Sequence, residues 1–382
     1  MGIVSFLTDV SSEMIFPILP VFLTTVLGAS AAAVGLIEGI ADSMSSLLDI
    51  FIGYWSDSSG RRKRFVIFGY GFSSISKLGI ALATTWPAVL VFRGVERIGK
   101  SIRTSPRDAI IAASSSKSTR GKAFGLHRAM DTLGAVAGPA VAYVVLSMLG
   151  STEQGYRTVF YLAIIPAFLA VAAIWLLVRE PAKAAALADK EKVKKVGFWQ
   201  KLKLLPKNYL SFLKISCLFS LAYFSFALLI VRASELGVSA QDILLVYILY
   251  NLVYMLASVP IGQLSDHLGR KKVIAGSFLL YALICLGFIF AGSLWQIAAL
   301  FAVYGIFVAA DESVNKAYVS DMVDEKQRGI ALGAYNSAVG AVYLPASALF
   351  GALWAASGAQ AAFAAAAAIA AVSGLAMLFH SK

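Results

Sequence analysis

Apolar residues in this chain fall into long runs separated by short polar connections. The runs predict helices at about 2–27, 32–55, 65–84, 87–112, 121–149 and 158–178. A second set follows at about 209–231, 242–261, 273–292, 295–319, 329–355 and 360–379. Each run comes close to the roughly 20 apolar residues that a helix needs to cross a bilayer. The pattern therefore predicts an all-α membrane protein with twelve transmembrane helices. Composition agrees, since 59% of the 382 residues are hydrophobic and 14% charged, against about 45–50% and about 25% in soluble domains. Twelve spans with short loops use up the chain and leave no length for a soluble domain. Disordered, collagen-like, disulfide-framed and ordinary cytosolic classes are excluded.

The connections alternate in charge. One set carries Arg61, Arg62, Lys63 and Arg64, then Lys117, Arg120 and Lys122, then Arg270, Lys271 and Lys272, then Lys326 and Arg328. The other set holds little beyond Arg157 and Arg232. Cytoplasmic loops are enriched in Lys and Arg, so the first set and both termini are expected in the cytoplasm, with the protein multi-pass in the cytoplasmic membrane. The net charge of +12 then reflects orientation rather than nucleic-acid binding, and the basic loops lack the interleaved aromatics that nucleic acid would need. No cleavable signal precedes the first run. Cys217 and Cys285 lie in apolar runs, where free buried thiols are expected.

The two sets of helices repeat each other. Gly53-Tyr54-Trp55-Ser56-Asp57-Ser58-Ser59-Gly60-Arg61-Arg62-Lys63 returns as Gly262-Gln263-Leu264-Ser265-Asp266-His267-Leu268-Gly269-Arg270-Lys271-Lys272, and Trp86 and Trp295 share the same offset. Arg120-Gly121, Ala123 and Gly125 return as Arg328-Gly329, Ala331 and Gly333. Between the halves lies a charged stretch containing Lys190-Glu191-Lys192-Val193-Lys194-Lys195. The expected organisation is an N-terminal six-helix bundle over 1–179, a cytoplasmic linker over 180–207 and a C-terminal six-helix bundle over 208–382. Two pseudo-symmetric bundles in parallel repeat are a transporter plan.

At these repeated segments the chain resembles the major facilitator superfamily along essentially its whole length. The resemblance implies that the loop after the second helix acts as a conformational latch, built here on Gly53, Asp57, Gly60 and Arg61 and repeated at Gly262, Asp266, Gly269 and Arg270. In that family the Arg pairs with an acid in the neighbouring helices, and Asp108 is the acid expected in the first half. Gly134-Ala135-Val136-Ala137-Gly138-Pro139 is similar to a GxxxGP element associated with antiporters; small residues at that spacing equally serve close helix packing by Gly134, Gly138 and Pro139. Arg93 resembles the start of an RxxxG element linked to proton coupling, with Arg97 in place of its Gly. The segments Ser5–Met14 and Arg103–Asp108 are similar to a bacterial and archaeal branch described as drug or metabolite efflux.

Charges inside the spans set the mechanism. Arg93, Arg97, Lys100, Arg103 and Arg107 fall within an arc of about 120° on the fourth helix and rise about 21 Å along it. Facing lipid they would cost on the order of 10–15 kcal/mol, so they are expected to line a cavity or meet acids. Seven cations (these five with Lys77 and Arg128) stand against eight acids (Asp9, Glu13, Glu38, Asp42, Asp49, Glu96, Asp108 and Asp131). Such near-balance predicts a rearrangeable ion-pair network. Proton coupling is expected at Asp9, Glu13, Asp42 and Asp131 with Arg93. Substrate contact is expected at Arg97, Lys100, Arg103, Glu38, Lys77 and His127, and in the second half at Tyr250, Asn251 and Asn336.

No P-loop, HExxH, CxxC pair or nucleophile elbow is present, so enzyme chemistry, cofactors and a dedicated metal site are not expected. Gly69-Tyr70-Gly71 lies in an apolar span and reads as packing. The expected function is secondary active transport of a small organic solute, anionic or zwitterionic, by alternating access. Proton antiport and efflux form the first expectation, with the protein monomeric. A proton symporter importing an organic acid, sugar-like compound or metal chelate is the alternative. A transporter-like receptor or a lipid-moving protein is a third class.

Overall fold

The structure, a computed structural model, describes residues 1–59, 62–115, 120–178, 205–324 and 327–380. The described residues form helices and no strand. In the first half these are α1 (Gly2–Ile15), α2 (Leu19–Thr25), α3 (Ala31–Ser59), α4 (Arg62–Leu82), α5 (Trp86–Ala113), α6 (Arg120–Leu149) and α7 (Glu153–Leu177). The second half has α8 (Lys207–Ala222), α9 (Phe226–Glu235), α10 (Ala240–Leu268), α11 (Arg270–Phe290), α12 (Leu294–Asp321) and α13 (Arg328–Phe379).

Two of the expected spans are broken. Pro17 and Pro20 remove two backbone donors three residues apart, so the first run splits into α1 and α2. The seventh breaks at Tyr223 to Ser225 without proline, because side chains satisfy the freed backbone: Ser225 N donates to Ser347 Oγ at 3.2 Å, and Ser225 Oγ accepts from Ala227 N. Another expectation needs correcting. The resemblance implies a loop at the repeated motif, yet residues 53–59 and 262–268 belong to α3 and α10. In the second copy the turn narrows to Gly269, whose φ of +89° is open to glycine and strained for other residues. α13 joins two of the expected helices across Gly358, where φ is +84°.

Among the described residues nine stretches are long and apolar enough to cross a membrane. α3 and α5, at 29 and 28 residues, are long enough but carry internal charges, and α13 has the length of two spans. α4 shows why such helices suit lipid. Phe68, Phe72, Ile75, Leu78 and Leu82 are exposed along one face, while Tyr70, Ser73, Ser74 and Lys77 are buried on the other. Apolar residues face outward and charges inward, the reverse of a soluble protein.

The chain divides into two compact units. The first comprises 1–29, 40–195 and 239–245; the second comprises 30–39, 196–238 and 246–382. In the first, α1 packs on α6 and α7, and α4 on α5 and α7. Its core includes Phe22, edge-on to Tyr156 and Phe160 at 6.0 and 5.1 Å. In the second, α11 packs on α12 and α13, and α8 on α13, around rings such as Phe219 and Phe278, stacked at 3.8 Å. The two cations found in the sparsely charged connections close helix ends. Arg157 donates to the carbonyls of Ala81 and Ala83 at 2.7 and 3.0 Å, just at and past the C-terminus of α4. Arg232 donates to Phe288 O near the end of α11. A cation suits a helix C-terminus, where carbonyls lack partners. Cys217 and Cys285 are free thiols.

Candidate functional site

The first unit holds the charge network. α5 starts at Trp86-Pro87, where proline is tolerated, and runs through Pro106. Its contact with α4 is set by two glycines: a Cβ on Gly69 would stand 2.6 Å from Gly99 O and 2.8 Å from Arg103 Cβ. That close crossing presses the cation stripe inward, so Arg93 and Arg103 are only 4% and 8% exposed. Gly69 and Tyr70 thus serve packing as expected, and Tyr70 does more. The Arg103 guanidinium lies over its ring, 4.2 Å from the centroid.

Most of the stripe has partners. Arg93 is bonded to Glu96, one turn on. Arg97 Nη2 reaches Asp42 Oδ1 at 3.1 Å, tying α5 to α3. Arg107 Nε donates to its neighbour Asp108 at 2.9 Å. Lys77, 1% exposed, has no acid in contact among the described residues. Its Nζ donates to Ser11 and Ser12 of α1 at 2.7 and 3.0 Å, with Glu96, Asp9 and Glu13 in electrostatic reach. These serines, and Ser5, were not singled out from sequence, since a serine in an apolar run reads as a small packing residue. The usable signal was Ser11-Ser12 lying between Asp9 and Glu13 on one helix.

On the other side of the unit α1 lies against α6. A Cβ on Gly134 would stand 2.8 Å from Asp9 Cβ, and one on Gly138 would stand 3.0 Å from Glu13 Cβ and 2.6 Å from Val10 O. The GxxxG spacing therefore brings two acids against α6. There Asp131 accepts from Ser5 Oγ, while His127 Nδ1 lies 3.3 Å from Asp131 Oδ2. His127 also borders a cavity of about 300 Å³ lined by Met1, Ile110, Ser114 and Val178. Burial lowers the Met1 amino group below its usual range.

Other expected residues fall elsewhere. Glu38 is 2% exposed but belongs to residues 30–39, which group with the second unit. In that unit a Cβ on Gly39 would stand 2.9 Å from Ser347 Cβ. The side chains of Asp49, Gly53 and Asp57, and all of Gly60 and Arg61, lie outside the described residues. Asp108, expected in the latch, meets Arg107. In the second copy Arg270 Nε lies 3.0 Å from Asp321 Oδ2 on α12 and Arg270 Nη2 3.6 Å from Asp266, and Gly262 faces open space. Pro139 is buried in α6.

The second-half candidates form a different surface. Tyr250 packs against Phe226 at 5.1 Å and stacks on Tyr254 at 6.4 Å. Tyr254 donates to Glu312 at 2.7 Å. Asn251 turns its amide back to Tyr247 O at 3.0 Å, while Asn336 is exposed.

A buried charge network enclosed by apolar helices suits a membrane protein that handles polar solutes. The sequence matches the Major Facilitator Superfamily over residues 1–232 and again over 210–382. The chain belongs to this superfamily. A relative described as an uncharacterised MFS-type transporter of Methanocaldococcus jannaschii is 38% identical over 99% of this chain and 93% of its own length. The multidrug resistance protein MdtG of Enterobacter lignolyticus is 24% identical over 85% of this chain and 77% of its own. Among solved structures, the nucleoside transporter NupG covers 100% of this chain and 98% of its own with TM-score 0.82 at 14% identity, which is a likeness of fold. The protein is thus a multi-pass membrane transporter of the MFS type, with the all-α fold of that family.

Proposed function

We propose that this transporter is a secondary active carrier exporting a small anionic or zwitterionic organic solute in exchange for protons, by alternating access in the cytoplasmic membrane. The carrying observation is the interior of the first unit, where buried Arg93 meets Glu96, Arg97 meets Asp42, and buried Lys77 and Arg103 stand within electrostatic reach of Asp9. An acid that gains a proton releases its cation, and the freed pair alters the balance of inward- and outward-facing states. In this reading Asp9, Glu13, Asp42 and Asp131 exchange protons with Arg93 as a partner. Arg97, Lys100, Arg103, Lys77 and His127 meet the solute, and Glu38, Tyr250, Asn251 and Asn336 complete its recognition. The Arg270–Asp321 pair and its counterpart around Asp57 and Arg61 act as conformational latches. Both termini lie in the cytoplasm, and the carrier works as a monomer without cofactor or metal.

Export is supported by the likeness to the multidrug resistance protein, and import with protons is the opposed mode. Proteoliposomes holding purified protein discriminate them. Solute accumulating against its gradient when the proton gradient runs in the opposite direction supports antiport. Solute moving along with protons establishes symport instead. No saturable flux of any solute, with lipid redistribution in its place, overturns the carrier reading.

A further inference from the structure

The network in the first unit is not closed. Of the described charges on α1 and α5, Asp9, Lys100 and Arg103 have neither a hydrogen bond nor an ion pair. Arg103 is the sharpest case. Its Nε and Nη1 are buried without an acceptor, and its only contact of note is the face of Tyr70. Buried guanidinium donors are almost always bonded, and leaving them unmet is unfavourable. Lys100, one turn earlier on the same face, is exposed although it lies mid-way along its helix. Two cations one turn apart repel unless an anion lies between them.

Asp9 lies on a different wall. α1 packs on α6 and α7, whereas α5 packs on α4. Asp9 is in electrostatic reach of Arg103 and Lys100 and of the acids Asp131 on α6 and Glu13 on its own helix; Lys77 on α4 is in reach of Asp9 as well. Arg97 adds to the positive side at Lys100. The unit therefore presents a negative wall at Asp9 and a positive wall at Lys100 and Arg103, attracted to each other but not touching. A plain anion meets repulsion from the first wall and a plain cation from the second. A dipolar ligand meets neither.

We infer that Asp9, Lys100 and Arg103 form a receptor for a zwitterionic head group, with the carboxylate of an amino-acid-like solute on Lys100 and Arg103 and its ammonium on Asp9. The guanidinium fork matches a planar carboxylate, and both contacts are charge-assisted. This rests on the transport reading and narrows its solute from anionic or zwitterionic to zwitterionic.

The test uses the full-length protein in nanodiscs and three probe sets. Glycine, leucine and phenylalanine are each compared with the matching acid lacking the amine and the matching amine lacking the carboxylate. Thermal shift and equilibrium binding are read for all nine probes. At least one amino acid is expected to bind about tenfold or more tightly than both of its analogues, as two charged contacts imply. Asp9→Asn is expected to erase the preference for the amino acid over the acid. Lys100→Gln, at an exposed position, is expected to erase its preference over the amine. Arg103→Gln should do the same where it folds, judged by its melting profile. An acid that binds as tightly as its amino acid, no binding by any amino acid, or a preference that survives Asp9→Asn overturns the inference. Proteoliposome flux separates the two readings. An acid carried uphill in place of the amino acid sinks the zwitterion site and leaves transport standing, whereas an amino acid that binds and is never carried does the reverse.

Discussion

Lys77 Nζ donates to Ser11 Oγ at 2.7 Å in a site where the lysine is 1% exposed. Ser11 in turn donates to the Ala163 carbonyl at 2.5 Å. One hydroxyl therefore joins α4, α1 and α7, accepting from an ammonium and donating to a backbone carbonyl. Ser11→Ala removes both bonds and leaves the ammonium with Ser12 alone. A loss of about 1–3 kcal/mol is expected, the range for stripping a buried charged donor, and thermal melting of the purified protein reads it. Ser12→Ala, at a partly exposed position, should lower the melting temperature less. Equal effects would show that the relay through Ser11 carries no special weight.

The glycines of α6 separate packing from simple helix propensity. At Gly138 a Cβ would lie 2.6 Å from Val10 O, so Gly138→Ala must push α1 away from α6. Overpacking of this kind costs about 1–3 kcal/mol. At Gly125 on the same helix nothing lies within 4 Å, and alanine is the better helix former by up to about 1 kcal/mol. Gly125→Ala is expected to be neutral or slightly stabilising. A melting comparison of the two variants checks both signs at once.

These contrasts show what was legible before any coordinates. Long apolar runs announced the helices, because lipid demands an unbroken apolar length. The first span was expected to run unbroken over 2–27, although Pro17 and Pro20 carry the signal for its break. The break at Tyr223–Ser225 carries no such signal, because it depends on Ser347, over a hundred residues away. Helical spacing placed the cations of α5 on one arc, and Arg93 and Arg103 are indeed buried. It did not reveal which cation meets which acid. Pairing depends on rotation and rise between helices, so Arg97 finds Asp42, whereas Lys77 finds serines. Glu38 and Asp42 lie one turn apart on α3 as the spacing predicts, but the close approach of Ser347 to Gly35 and Gly39 on that helix is not encoded in periodicity.

Arg157 holds the end of α4 through Ala81 O and Ala83 O and also meets Glu153 at 2.8 Å. Arg157→Ala leaves two carbonyls without that donor and is expected to cost about 1.5–3 kcal/mol. Arg157→Lys keeps the charge near the helix terminus but loses the fork, so it should recover part of the loss. Melting temperatures in the order wild type, lysine, alanine support the clasp. An unchanged alanine variant removes it.

His380 supplies a pH test outside the spans. It is 5% exposed and lies beside Phe212 and Tyr318. Burial, with Lys271 adding a like charge, pushes its imidazole below the usual value of 6.5. The folded state then binds fewer protons here than the unfolded state. Its contribution is complete above about pH 6.5 and declines as pH falls below that value. His380→Phe is expected to flatten the melting temperature between about pH 7 and pH 5 relative to wild type. Parallel declines in the two proteins would place the acid sensitivity elsewhere.

Asp42 and Asp131 test proton coupling most directly, because each holds a cationic or titratable partner on view. Asp42 meets Arg97 at 3.1 Å across two helices, and Asp131 lies 3.3 Å from His127 while accepting from Ser5. An amide at either position keeps the shape and abolishes the ability to exchange a proton. If these acids drive the cycle, Asp42→Asn and Asp131→Asn should each lower uphill, pH-driven flux by about tenfold or more, while solute exchange down its own gradient persists. That pattern separates coupling from folding, since a misfolded carrier loses both fluxes together. Uphill flux retained in both variants would mean that these carboxylates fix helices, and the coupling proton would then have to be sought at Asp9 or Glu13.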